Sequence, residues 1–126
     1  MQFCCLGSGS KGNATLVRFN DQLIMIDCGF SFKTVAKAMQ EKGCEPDELT
    51  AVLVTHEHSD HIQGVNTLAK RLSVPVYCTP GTYHAGKLKA ELDVRFIRDG
   101  ETVDFNGLLA TAVTVPHDAN EPCQFY

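Results

Sequence analysis

Basic residues are in the minority in this chain, which has 11 lysines and arginines against 15 aspartates and glutamates and a formal net charge of −4. This balance argues against a broadly basic surface that coats nucleic acid. The chain also has no apolar run near the ~20 residues that are needed to span a bilayer. Met1 leads directly into a strand-like run, without the basic region and cleavage site of a signal peptide. We therefore expect a cytoplasmic protein without a membrane segment.

The six cysteines include no C-x-x-C pair, so the commonest spacing of cysteine-based zinc and redox motifs is missing. Most of them lie in apolar, strand-like runs, and without a secretory signal we expect buried, reduced thiols. Cys28 could approach a polar pocket because it follows Asp27, but a packing role is the simpler interpretation. At 126 residues the chain has the length of one ordinary domain.

A dense polar cluster, T-H-E-H-S-D-H at residues 55–61, directly follows a short apolar run. In an extended segment the side chains at i and i+2 point the same way, so His56, His58 and Asp60 can share one face. His61 can reach the same place where the chain turns. Imidazole and carboxylate groups are the usual protein ligands of zinc and similar ions. A solvated histidine-rich loop is the alternative, but the order of these residues after a buried strand favours a metal site.

Two other strand-like runs end in a candidate residue. Asp27 closes the run 22–26, where its carboxylate could bond to loop amides. His117 follows the long run 108–115. A lone histidine at a strand end is usually unremarkable, but a strand end can also bring a third imidazole to the cluster at 55–61. We therefore expect His117 to be a metal ligand.

The stretch 7–13 is rich in glycine and serine and predicts a loop between two strands. It lacks the residue order of a nucleotide-binding P-loop, and a strand rather than a helix follows it. A tight turn is the simplest interpretation. In the alternative, the polar groups of Ser8, Ser10 and Asn13 border the mouth of the active site and contact the substrate.

Apolar periodicity and turn residues predict the regular elements. Strands are expected at 2–6, 14–19, 22–26, 51–54, 74–78, 94–97 and 108–115. Helices are expected from the cap Ser31 to about Lys42, from Gly64 or Asn66 onward, and from Pro80 to Lys87. The last helix carries His84, which we expect to be a surface residue rather than a substrate contact.

Four stretches together resemble one known family: L-G-S-G-S-K-G-N-A at 6–14, I-D-C-G at 26–29, V-T-H-E-H-S-D-H-I-Q-G at 54–64 and H-D-A at 117–119. They are similar to the metallo-β-lactamase fold superfamily and, within it, to the bacterial YycJ (WalJ)-type branch. The resemblance runs along essentially the whole chain. It implies an α/β (α+β) fold, the αββα four-layer sandwich, and a cofactor of two divalent metal ions, zinc or manganese.

The resemblance also implies roles for individual residues. One metal would be held by His56, His58 and His117, and the other by Asp60 and His61, with Asp27 supporting the site from the second shell. The implied activity is that of a metal-dependent hydrolase, most simply a phosphodiesterase or DNA exonuclease-like nuclease that uses a metal-activated hydroxide. Asp60 would be catalytic, and the partner would be nucleic acid or another phosphodiester substrate.

Two other functions remain open at this point. The same metal centre can serve a small-molecule hydrolase that acts on lactones, thioesters or β-lactams. From a different class, the chain could be a non-catalytic metal-binding or assembly module. Diiron redox relatives usually carry glutamate at the position of His58, which counts against them.

The family pattern continues with a metal-bridging aspartate and a further histidine after later strands, and neither occurs before Tyr126. We therefore expect residues 1–126 to be the N-terminal half of one metallo-β-lactamase fold domain. The second metal position would be incompletely ligated unless a missing C-terminal half or a second copy in a homodimer completes it. The isolated chain is accordingly expected to have little or no catalytic activity.

Overall fold

The computed structural model describes residues 1–9, 12–85, 87–115 and 121–126. The strands there are β1 (Gln2–Gly7), β2 (Ala14–Phe19), β3 (Gln22–Ile26), β4 (Ala51–Leu53), β5 (Val76–Cys78), β6 (Val94–Phe96), β7 (Thr102–Phe105), β8 (Leu108–Thr114) and β9 (Cys123–Phe125). The helices are α1 (Phe32–Glu41), α2 (Ser59–Ile62), α3 (Val65–Leu72) and α4 (Pro80–His84), with a 3-10 turn at Pro46–Glu48. Ser10 and His117 lie outside the described residues.

The first six strands form one mixed sheet in the order β1-β2-β3-β4-β5-β6. The pairs β1–β2 and β2–β3 are antiparallel, and β2 and β3 are joined at the predicted turn, where Asn20 has a φ of 54°. The strands from β3 to β6 run parallel to one another. The carboxyl ends of β3, β4, β5 and β6 therefore meet at one edge of the sheet, which is where α/β folds commonly place their sites.

A second, antiparallel sheet of β7, β8 and β9 packs on one face of the first. Alternate residues of the central strands divide between two cores. Met25 and Val52 face the helices, whereas Ile24 and Leu53 face the second sheet. On the outer side of β8, Leu109 is 58% exposed. The described residues thus form a helix layer and two sheet layers of the predicted sandwich.

Local sequence signals account for several element ends. Ser31 caps α1, because its hydroxyl oxygen accepts from the Thr34 N–H at 3.3 Å, and Gly43 follows the helix with a φ of 80°. Pro75 directly precedes β5, a position that suits a residue without a backbone N–H to donate to the sheet. Within the described ranges, no helix is long and apolar enough to cross a membrane.

The prediction of an extended chain through Asp60 is wrong. The extended conformation ends at His58, which has φ −62° and ψ 142°, and the next four residues form the single turn α2. Ile62, 3% exposed, closes this turn by packing into the helix-side core, and its N–H donates to the His58 carbonyl at 3.1 Å. Asp60 therefore reaches the cluster from a helical turn rather than by strand alternation.

Other elements also differ from the sequence prediction. The helix expected from Pro80 to Lys87 ends at His84. The short strands β7 and β9 were not predicted, because three or four residues carry too little periodicity to indicate a strand.

All six cysteines lie in the described part and are free thiols, but the expected burial holds for only three of them. Cys28, Cys78 and Cys123 are buried, Cys4 and Cys44 are intermediate, and Cys5 is exposed. Burial raises the pKa of Cys28 to about 11 and that of both Cys78 and Cys123 to about 12. The thiolate is the reactive form, so each of these three thiols is protected both sterically and by its protonation.

Native alkylation with iodoacetamide in mildly alkaline buffer is therefore expected to label Cys5 first and to spare the three buried thiols. Peptide mass spectrometry after timed quenching reads the order. Labelling of all six positions at one rate in urea provides the unfolded control. Labelling of Cys28 as fast as Cys5 in the native protein would contradict the packing described here.

Candidate metal centre

Two neighbouring parallel strands deliver the polar cluster to the same sheet edge. Asp27 directly follows β3, and residues 55–61 follow β4 after Val54. The Asp27 N–H donates to the Leu53 carbonyl at 2.7 Å, which continues the pairing of the two strands. Asp27 then takes a φ of 63°, in the left-handed region that aspartate tolerates better than most residues. The chain turns there and leaves the carboxylate beside the loop that follows β4.

The histidine rings of the 55–61 loop lie together and are half-buried. The His56 ring centroid lies 4.7 Å from that of His58 and 4.0 Å from that of His61. Asp60 Oδ2 lies 3.7 Å from His61 Nε2. The structure therefore brings together these four predicted ligands.

Each predicted metal position is represented by a pair in the described part: His56 with His58, and Asp60 with His61. Within residues 1–9, 12–85, 87–115 and 121–126, no three such side chains are placed to hold an ion. His117, the predicted third ligand of the first position, lies outside those ranges.

Asp27 is the most enclosed charged group beside this cluster, with 4% of its surface exposed. Its Oδ1 accepts from the Thr55 N–H at 2.8 Å. Its Oδ2 accepts from the Thr55 hydroxyl at 2.7 Å and from His61 Nδ1–H at 2.6 Å. The hydrogen bond from His61 to Asp27 is the main cause that raises the pKa of His61. Both carboxylate oxygens are thus used, as the buried charge requires.

The direction of these bonds fixes which ring nitrogens remain for a cation. The Thr55 hydroxyl gives its proton to Asp27, so its oxygen accepts from His56 Nδ1–H, 2.8 Å away. In their neutral forms, His56 and His61 therefore both carry the proton on Nδ1 and the lone pair on Nε2. A neutral imidazole with its lone pair on Nε2 is a form that binds divalent cations, so the donor set fits such an ion.

Thr55 is the residue that the sequence interpretation missed. Asp27 was predicted to support the cluster, and it contacts His61 directly, but it acts on His56 only through the threonine hydroxyl. The available signal was a hydroxyl residue between a buried strand and the first histidine. The role of Asp27 behind a bound metal stays a prediction.

Two loops hold α2 in place from the other side. The Asn13 N–H donates to the Asp60 carbonyl at 2.7 Å, and its side-chain amide donates to Asp60 Oδ2 at 3.2 Å. The Cys28 N–H donates to the His61 carbonyl at 2.8 Å. A Cβ at Gly29 would overlap the Asp60 carbonyl oxygen, so this glycine is required for the close approach.

Ser8, Ser10 and Asn13 were predicted to contact the substrate. Asn13 rests against Asp60, and Ser8 is exposed on the same loop. Ser10 lies outside the described residues. Substrate contact by these three side chains stays a prediction.

Described residues on both sides of the stretch 116–120 make backbone hydrogen bonds. The Cys123 N–H donates to the Thr55 carbonyl at 2.9 Å, and the Val115 N–H donates to the Pro122 carbonyl at 3.0 Å. Cys123 is therefore held beside Thr55, the residue that precedes His56, and Val115 is joined to Pro122.

Comparison with known proteins agrees with this arrangement. The family model described as "Metallo-beta-lactamase superfamily" matches residues 7–124. The chain is 33% identical to the exodeoxyribonuclease WalJ of Streptococcus pneumoniae serotype 2 (strain D39 / NCTC 7466), over 99% of this chain and 48% of the relative. It is also 33% identical to the exodeoxyribonuclease YycJ of Bacillus anthracis, over 100% of this chain and 49% of the relative.

Among solved structures, the Rm3 metallo-beta-lactamase superposes with a TM-score of 0.83 at 21% identity, covering 98% of this chain and 52% of that one. This likeness concerns the fold alone, and it confirms the predicted fold class. The chain spans about half the length of the curated relatives it matches.

Proposed function

Because the chain belongs to the metallo-beta-lactamase superfamily, we propose that it forms part of a metal-dependent hydrolase that cleaves phosphodiester bonds, with DNA as the substrate class. The observation that carries the metal-dependent part is the hydrogen-bond network from Asp27 to His61 and, through Thr55, to His56. It holds two imidazoles in the tautomer that a divalent cation needs. The nuclease part is supported by the two relatives named as exodeoxyribonucleases.

We propose that His56, His58 and His117 hold one divalent cation, and that Asp60 and His61 hold a second. Zinc or manganese would suit these nitrogen and oxygen donors. When bound, such a pair lowers the pKa of a coordinated water and stabilises the charge that develops on a phosphate.

The protein's own residues position this chemistry. Asp27 accepts from Nδ1–H of His61, and Thr55 accepts from Nδ1–H of His56, so that the lone pair of each neutral ring lies on Nε2. Asn13 donates to Asp60 Oδ2, the oxygen that lies 3.7 Å from His61 Nε2, and so helps to hold the Asp60 carboxylate beside the cluster. We propose that this carboxylate binds the cation and orients the attacking water.

We also propose that residues 1–126 make up the first half of a domain whose remaining ligands come from a second half or a second copy. The coverage of about half of the relatives supports this proposal. So does the apolar surface left exposed on the second sheet and the last strand, where Leu109 is 58% and Tyr126 is 70% exposed. Soluble proteins usually cover such faces.

The test is a substrate comparison with the protein that carries the complete domain, loaded with zinc or manganese, and with residues 1–126 alone. We expect hydrolysis of bis-p-nitrophenyl phosphate and single-stranded DNA by the complete protein, loss of activity with a chelator, and weak or no activity of residues 1–126. A lactone, a thioester and a β-lactam serve as competing substrates.

Three other outcomes would favour a different function or contradict the half-domain proposal. Preference for the lactone, thioester or β-lactam would identify a small-molecule hydrolase. Metal binding without any turnover by the complete protein would indicate a non-catalytic module. Efficient hydrolysis by residues 1–126 alone would contradict the half-domain proposal.

A further inference from the structure

A second group of side chains lies at the same edge of the large sheet as the histidine cluster. It belongs to α4, which follows β5, and to the end of β6, the next strand across the sheet. Because β4, β5 and β6 are parallel, their carboxyl ends point to one side of the molecule. The group therefore stands beside the candidate metal centre rather than behind it.

The group consists of Tyr83, His84, Phe96 and Arg98, and we refer to it as the aromatic platform. Tyr83 lies 5.5 Å from Phe96 and 5.7 Å from His84 between ring centroids, and His84 lies 6.3 Å from Phe96. The Arg98 guanidinium carbon lies 5.7 Å from the Phe96 ring centroid. Three rings and one cation thus share a single surface.

Tyr83 is partly buried, whereas the Phe96 and His84 rings are exposed to solvent. Tyr83 packs against the helix-side core and anchors the platform. Phe96 is 41% exposed and His84 is exposed, so the predicted surface position of His84 is confirmed. A large apolar ring that stays open to solvent next to a cation offers a π-face and a positive charge to a ligand.

We propose that the aromatic platform stacks the bases of single-stranded nucleic acid and that Arg98 contacts the adjacent backbone. This inference rests on the proposed nuclease function and names how its substrate is held. Aromatic side chains bind unpaired bases through their π-faces, and an arginine beside them adds a contact to phosphate or base. The aromatic platform has both parts.

One short segment joins the start of α4, the helix that carries Tyr83 and His84, to the histidine loop. Glu121 ties α4 down, because its carboxylate accepts from the Gly81 N–H at 2.8 Å and its carbonyl accepts from the Thr79 hydroxyl at 2.7 Å. Two residues later, the Cys123 N–H donates to the Thr55 carbonyl at 2.9 Å. One short segment, residues 121–123, therefore contacts both α4 and the histidine loop. In this proposal, a strand stacked on the platform runs along this segment toward the 55–61 cluster.

The net charge of −4 indicates which part of the nucleic acid supplies most of the binding free energy. A chain without a basic surface gains little from phosphates alone, so its affinity for a single strand must come largely from base stacking. Binding should then depend on the bases of the probe more than on its backbone charge.

The experiment measures fluorescence anisotropy of a labelled single-stranded oligodeoxynucleotide with the 126-residue chain in the presence of a chelator, so that no cleavage occurs. We expect Phe96→Ala to weaken binding about tenfold and Phe96→Tyr, which keeps the ring, to bind as the unaltered chain does. Phe3→Ala is the matched control. Phe3 is 71% exposed on β1, the opposite edge strand of the same sheet, and its loss should leave binding unchanged.

An abasic strand of equal length separates stacking from charge. It should bind weakly, and Phe96→Ala should not change that binding. His84→Ala and Arg98→Gln alter exposed side chains and keep the test decisive even where Phe96→Ala does not fold. Each is expected to weaken binding of the base-containing strand several-fold.

Three results would overturn the platform: no binding of the single strand, equal effects of Phe96→Ala and Phe3→Ala, or equal affinity for the abasic strand. The proposed nuclease function is judged separately by cleavage with metal. DNA cleavage with a neutral Phe96→Ala would refute only the platform. Base-dependent binding that is lost in Phe96→Ala, without cleavage, would refute only the nuclease.

Discussion

Replacing Asp60 by alanine is expected to abolish phosphodiester hydrolysis by the protein that carries the complete domain, without unfolding it. The carboxylate is the proposed ligand and orienting group, and its loss leaves His61 as the other proposed ligand of that cation in this chain. The loss of kcat should exceed the roughly 10- to 100-fold that follows from altering a residue behind a metal ligand. The fold should survive because Asn13 and α2 are joined through the Asp60 backbone carbonyl, which the substitution retains.

Steady-state hydrolysis of bis-p-nitrophenyl phosphate and urea unfolding of the same samples provide the two readouts. Asp47→Ala is the control, because Asp47 is an exposed carboxylate in the 3-10 turn. It changes the net charge by the same amount and should leave kcat unaltered. Retained turnover in the Asp60→Ala protein would remove Asp60 from the catalytic role.

Asp27→Asn is expected to lower the zinc affinity of the chain by about 10- to 100-fold. The two side chains have the same shape, but the amide carries a donor where the carboxylate has only acceptors. If the amide nitrogen occupies the place of Oδ2, it meets the Thr55 hydroxyl and His61 Nδ1–H. His61 must then move its proton to Nε2, the atom that the cation needs.

If instead the amide nitrogen occupies the place of Oδ1, it opposes the Thr55 N–H. A buried donor is left without an acceptor, which costs about 1–3 kcal/mol of the free energy of unfolding. Isothermal titration with zinc measures the affinity, and urea unfolding measures the stability. The first orientation of the amide thus lowers the zinc affinity, and the second lowers the free energy of unfolding.

The matched control is Asp21→Asn, the same substitution at an exposed position in the turn between β2 and β3. This turn lies at the opposite end of β3 from Asp27. Zinc affinity should be unchanged there. Equal zinc affinity in the Asp27→Asn and unaltered chains would show that Asp27 has no influence on the metal ligands.

Much of the site was predictable because its residues are close in sequence. His56, His58, Asp60 and His61 fall within one loop after a buried strand, and the strand before them is a plain apolar run. Asp27 was predictable from its place at the end of another strand. Thr55 was not, because its role depends on where its hydroxyl lies between Asp27 and His56.

The route by which Asp60 joins the cluster also required the structure. Alternation along a strand predicted that Asp60 shares a face with His56 and His58. Asp60 instead reaches the cluster from the helical turn α2, which the burial of Ile62 stabilises. The small local difference between an extended loop and one helical turn is decided by packing that lies outside the motif.

The aromatic platform shows the same limit over a longer distance. His84 and Phe96 belong to different elements, and neither has a neighbour in sequence that indicates a ligand. Their approach follows from the parallel pairing of β5 and β6 and from the place where α4 packs.

By itself the sequence determined the kind of chemistry, the order of most strands and helices, and the residues with metal-binding groups, because these depend on residue type and on short-range periodicity. Only the tertiary structure decided which ring nitrogen carries the proton in neutral His56 and His61, how α2 presents Asp60, and which aromatic rings meet at the ends of β5 and β6. Those properties depend on distances between residues far apart in the chain, and packing of the two sheets and the helices sets those distances.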